Sequence, residues 1–182
     1  MPETASFTGP NGLSPMDHIL NIAASVRPTV GDGLYAGEIA RSKIRLRTQA
    51  GVDANGQPFA PYSARYKAIK QKKLGKADPV DLFGYEQHLH MLNAIVVTAG
   101  GQTLDNGAGA PASGANSPIE NFQVIIPTPE EAMRARTHNE GRGRQPIRHF
   151  FDVNAEDIAL MEAGILERIM LRIGGGSLAK AG

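Results

Sequence analysis

The sequence contains no cysteine and no tryptophan, and aromatic residues make up only 5 % of it. Without thiols there can be no disulfides, no thiolate nucleophile and no thiolate metal site, so stability has to come from packing or from assembly. No apolar run approaches the roughly 20 residues that a membrane-crossing helix needs. The N-terminus, MPETASFTGPNGLSPMD, lacks the basic start and apolar stretch of a secretion signal, so the expectation is a soluble protein made in the cytoplasm, with no membrane partner.

Catalytic signatures are also missing. No serine sits in a G-x-S-x-G elbow, and neither GDG nor GGGS is followed by the Lys-Ser/Thr of a phosphate loop. His88 and His90 would share one side of a strand, with Asp81 or Glu86 as a possible third ligand. Two histidines without a clear third ligand are a weak metal signal, and surface or interface histidines are the ordinary reading. The expectation is no enzyme, no catalytic or metal-binding residue and no cofactor.

Glycine and non-regular backbone are plentiful instead. There are 21 glycines and 12 prolines among 182 residues, a length that suits one ordinary domain. The net charge of +1 conceals an asymmetry: Arg41 to Lys76 holds ten Lys/Arg against the single acid Asp53, a net +9, leaving −8 elsewhere. Such a block fits an anionic partner, whether nucleic acid or an acidic protein face, or simply a solvated helix face.

Periodicity and turn chemistry predict an α+β fold. Ser14 caps a helix over Pro15 to Val26 with Ile19, Ile22, Ala23 and Val26 on one face, and RPTVGDG ends it. Gly33 to Thr48 reads as a helix, although KIRLRT alternates as a strand would. DANGQPFAPYS is a turn, because Asn55-Gly56 tolerates positive φ and Pro58 and Pro61 force extended backbone before them. Ser63 then opens the short basic helix ARYKAIKQKK.

Ala94 to Thr98 reads as a strand whose partner is NFQVIIP, joined by a long Gly- and Ala-rich tip. TPEEAMRARTHNEG predicts a helix with a Thr128/Glu131 capping box, Pro129 at its first position and Gly141 as its stop. Asn154 caps a last helix with Ile158, Met161, Ile165 and Ile169 along one stripe, ended by Gly174 to Gly176. The predicted organisation is a flexible arm over 1–13, one domain over 14–173 and a flexible tail over 174–182. Within the domain a small antiparallel sheet, a long-tipped hairpin with a mobile loop over 99–121, packs against several helices.

Two segments carry candidate contacts. Phe59, Tyr62, Phe150 and Phe151 are candidate anchors of the domain, and Lys67, Lys70, Lys72 and Lys73 line the basic helix. In EGRGRQPIRHFF, Arg142, Arg144 and Arg148 could reach carboxylates or phosphates of a partner, while Ile147 and the two phenylalanines dock the last helix.

In this order the segments resemble the virion-morphogenesis and tail-completion proteins of tailed bacteriophages. GVDANGQPFAPYSARYKAIKQKK is similar to that family's G-x-D-x-x-G-x-x-aromatic-x-P-x-S segment and basic helix. ARTHNEG is similar to its Ala-Arg-x-His-x-x-Gly turn, and PIRHFFDVNAEDIALMEAGILERI to its Pro-x-Arg-x-Phe segment and closing helix. The chain departs from the family in HLHMLNAI, where a Gly-Leu step is usual, and in its long glycine-rich hairpin tip.

The resemblance implies a structural protein of the neck or upper tail, present in the virion and assembled in the host cytoplasm. It would act as a ring, a hexamer being favoured, beside neck, connector, tail-tube or terminator proteins and in reach of channel DNA. On that view these cations meet acidic faces of neighbours or DNA, and the Gly100 to Pro118 arm orders on assembly. The alternative is a DNA-binding or assembly-accessory protein using residues 41–76, although no known base-reading module occurs there.

Overall fold

A computed structural model describes residues 24, 26–78, 80, 82, 91–104, 116–119, 121–143 and 145–178, with side chains of the last helix described through Gly174. Outside the described residues lie nearly all of the expected Pro15 to Val26 helix, residues 105–115 of the hairpin tip, His88, His90, Asp81, Glu86 and Arg144.

Among the described residues four helices and three strands make an α+β domain: α1 (Val30–Ala50), α2 (Ala64–Leu74), β1 (Val96–Ala99), β2 (Gln102–Leu104), β3 (Phe122–Ile125), α3 (Pro129–Glu140) and α4 (Ala155–Leu178). Helix α1 is the central element, touching the sheet and α4. Its start is set by a capping box in which the Thr29 hydroxyl accepts from the Asp32 N–H and the Asp32 carboxylate accepts from the Thr29 N–H. The stretch RPTVGDG therefore launches a helix as well as separating it from what precedes.

Burial of α1 on several sides explains the mixed periodicity of KIRLRT. Val30 and Leu34 pack on Val97, Ala99 and Leu104 of the sheet, Ala36 and Ala40 pack on Met161 of α4, and Ile44 joins Phe59, Leu92, Ile95 and Phe150. A helix covered on more than one side shows no single apolar stripe. Glycine permits several close approaches, two of which join α1 to its neighbours. A Cβ on Gly37 would lie 2.2 Å from Val97 Cγ1, and one on Gly164 would lie 2.6 Å from the Tyr35 ring.

The sheet order is β2-β1-β3, and both pairings are antiparallel. Val97 stands opposite Leu104 and Val124 on the helix side, whereas Thr98 stands opposite Thr103 and Gln123 on the other. The predicted pairing of β1 with NFQVIIP is present, but the long tip needs correction. The chain turns at once through Gly100-Gly101, with φ of 54° and 77°, and adds β2 to the other edge of β1. Positive φ at both central residues is the requirement of a type I′ two-residue hairpin, and Gly-Gly meets it. The far base of the tip is also tied down, since Val30 donates to Ser117 O at 2.8 Å and Ile119 donates to Pro28 O at 3.1 Å.

Two helix ends differ from expectation. Helix α3 begins with Pro129 as predicted, yet Thr128 makes no side-chain capping bond. Proline already removes one of the orphan N–H groups, and Glu131 turns to Arg134 instead, 2.7 Å away. Helix α4 starts with Asn154 Oδ1 accepting from the Asp157 N–H at 2.9 Å, and it runs through Gly174 to Gly176 to end at Leu178. Glycine lowers helix propensity by about 1 kcal/mol without forbidding continuation.

Candidate functional site

A dense polar construction lies under the turn from Gly51 to Ser63. Asp53 organises it, its Oδ1 accepting from the Asn55 and Gln57 N–H groups at 2.8 Å each. Phe59 donates its N–H to Gly51 O at 2.8 Å, which closes the turn and drives the ring into the core. Tyr62 follows, half-buried, with its hydroxyl accepting from the Leu82 N–H at 3.1 Å and from Lys70 Nζ at 3.2 Å.

Arg148 reaches this turn from 87 and 88 residues further on, donating from Nε to Ala60 O at 2.9 Å and from Nη2 to Pro61 O at 3.1 Å. Its guanidinium lies 5.4 Å from the Tyr62 ring centre, and the Lys70 ammonium lies 4.8 Å from it. Two cations thus share one aromatic ring. The Arg148 N–H also donates to His138 O at 2.8 Å, and Phe151 N–H donates to Asn139 Oδ1 at 3.1 Å. Burial first, and the Arg148 charge second, lower the His138 pKa from 6.5 to about 4, so the ring is neutral near pH 7.

This geometry corrects two of the expected partner contacts. Lys70 and Arg148 are buried, at 0 % and 3 % exposure, and serve the Tyr62 clamp. Both carry long apolar stems, which lets them cross the core and leave the charge against carbonyl, hydroxyl and ring. Lys67 faces outward and pairs with Asp78 at 2.5 Å, and Arg142 donates to Glu140 at 2.5 Å. Lys72 and Lys73 are exposed in the last turn of α2. Phe59 and Phe150 lie in the core, while Tyr62 and Phe151 are partly buried against it.

The basic block is dispersed in the same way. Arg41 is buried and donates to Leu104 O at 3.2 Å, Arg45 donates to Asn93, and Arg47 forms an ion pair with Asp157 and donates to Asp152 O at 2.7 Å. The outward residues of α2 include Arg65, Ala68 and Lys72 beside Lys67 and Lys73. Among the described residues no group of three metal-ligating side chains comes together, and no helix is long and apolar enough to cross a membrane.

Comparison with known protein families, curated proteins and solved structures gives no match.

Two features escaped the sequence reading. The first is the Asp32 junction: the carboxylate, fully buried, takes Arg168 Nε and Arg172 Nη1 at 2.8 Å on Oδ1, and Arg172 also donates to Arg27 O at 3.2 Å. Burial alone would raise the Asp32 pKa, but bonds from Arg172, Thr29 and Arg168 prevail and lower it from 3.8 to about 2. The T-x-x-D spacing of Thr29 and Asp32 was the signal available. The second is the outer face of α4, where Leu166 and Met170 are each 60 % exposed and Ile173 is 38 % exposed. The predicted stripe omitted them, and Ile158, placed on the buried face, is 44 % exposed. A second 3-and-4 spacing through Leu166, Met170 and Ile173 was legible beside the first.

Proposed function

We propose that the protein is a structural component of the neck or upper tail of a tailed bacteriophage, acting by assembly into a ring, with a hexamer favoured. One observation carries this reading. The three stretches on which the family resemblance rests fold into one clamp: the Gly51 turn, whose Ala60 and Pro61 carbonyls lie 88 and 87 positions before their partner Arg148, joins the two neighbouring stretches, the His138-Asn139 end of α3 and the Arg148 segment. Motifs that meet as one packed module are a coherent set, which loose matches scattered over a surface would not be.

The clamp is built from carbonyls, a phenol and buried cations, an arrangement that rigidifies a surface and presents no reacting group. It holds the basic helix α2 at the periphery, where its cations can meet a neighbour. The test is mass in solution by light scattering, at low and high salt, with and without tail tubes. A ring that loosens in salt, or a monomer that becomes a ring on tubes, is the expected result. A strict monomer indifferent to tubes overturns the reading and favours a DNA-binding or accessory role.

A further inference from the structure

The outer face of α4 is apolar in the middle and acidic on both sides. Leu166 and Met170 stand one turn apart and Ile173 follows, all exposed. Glu162 and Glu167 flank them on opposite sides of the helix, exposed and in no ion pair with any described residue. An exposed apolar stripe along a helix is the mark of a docking surface. Its acidic edges select a basic occupant and disfavour a second α4, which would set glutamates against glutamates.

The chain itself carries the complement. On α2 the exposed face has Ala64 and Ala68 in the middle, also one turn apart, with Arg65 and Lys72 beside them. Arg65 and Lys72 make no ion pair with any described residue either. A bulky pair at i and i+4 fits between small residues at the same spacing, as ridges fit grooves. The stems of Arg65 and Lys72, which share one side of the Ala64-Ala68 pair, would then cover the leucine and methionine while their charges reach one acidic edge of α4. Helix α2 makes no close approach to α4 within the chain, so the two faces are available to different copies.

We infer that the outer face of α4 in one copy docks the exposed face of α2 in the next copy. The contact joins two different surfaces, so it repeats head to tail and closes when the rotation allows. The inference rests on the ring reading for the existence of a neighbour and adds which surfaces meet.

The absence of native cysteine makes the test clean. Copies carrying Leu166→Cys are mixed with copies carrying Ala68→Cys and treated with a short thiol cross-linker, beside light scattering of the unmodified protein. The expected product is a mixed dimer, formed at least ten times more than a dimer of either variant alone. Adding Glu162→Lys and Glu167→Lys to the first copy should abolish it. Adding Arg65→Glu and Lys72→Glu to the second should restore it. Association without the mixed product places the contact elsewhere and overturns this inference while sparing the ring. A dominant dimer of Leu166→Cys copies overturns it in favour of symmetric pairing. If a small reagent reaches the thiol of the Leu166→Cys variant only after removal of residues 1–26, the chain's own N-terminal segment is the occupant and the inference falls. No association of the unmodified protein at any salt, with or without tail tubes, overturns both readings.

Discussion

Asp32 illustrates how much one buried carboxylate can control. Its lowering from 3.8 to about 2 corresponds to about 2 kcal/mol of stability at neutral pH. The sign follows from the direction: a depressed carboxylate stabilises above its unfolded value and loses that contribution as pH falls through about 2. Asp32→Asn should therefore lower the melting temperature at pH 7 and should cost little near pH 2, a difference that melts at the two pH values read directly. His138 acts at milder acidity. Its folded value of about 4 lies below the ordinary 6.5, so the unfolded chain takes up a proton first and stability falls between those values. His138→Gln should flatten that part of the pH profile. Tyr62→Phe removes the acceptor of the Leu82 N–H and one acceptor of Lys70, both buried, and should cost about 1–3 kcal/mol in chemical denaturation.

Among the elements, the α1–α4 pair depends on a close approach at Gly164. A methyl there would meet the Tyr35 ring at 2.6 Å and Ile39 at 3.4 Å. Gly164→Ala should destabilise by about 1–3 kcal/mol in spite of its better helix propensity, and Gly164→Ala with Tyr35→Ala should recover part of the loss. The elements themselves were largely legible. Proline at the first position and glycine at the stop delimit α3, Ser63 and Asn154 mark the starts of α2 and α4, and β-branched runs mark β1 and β3. Strand β2 was not legible, because QTL is three residues long and its pairing is specified by the Gly-Gly turn rather than by its own pattern. The fate of the basic residues was equally hidden. Nothing local separates the buried Lys70 from the exposed Lys72, since the difference is made by Tyr62, eight residues before Lys70. Arg148 looked like a contact residue because its carbonyl partners lie 87 and 88 positions away.

For the molecule as a whole, the separation of charge along the sequence is partly cancelled by folding. Arg41, Arg47 and Lys70 are engaged inside, Lys67 and Asp78 neutralise each other, and Glu162 and Glu167 of α4 stay outside. Surface ion pairs between copies are screened over about 10 Å at 0.1 M salt, so association through these faces should weaken steeply as salt rises. Glu162→Lys with Glu167→Lys should remove that salt dependence from any residual association, as sedimentation at several ionic strengths would register.

The Asp32 junction also bears on when the fold can close during synthesis. Its arginine partners follow it by 136 and 140 positions. A nascent chain stalled before Arg168 emerges therefore holds a carboxylate that is costly to bury without a counter-charge, and α1 lacks the helix that covers one of its sides. Such a chain should remain sensitive to protease, and resistance should appear abruptly once Arg172 clears the exit tunnel.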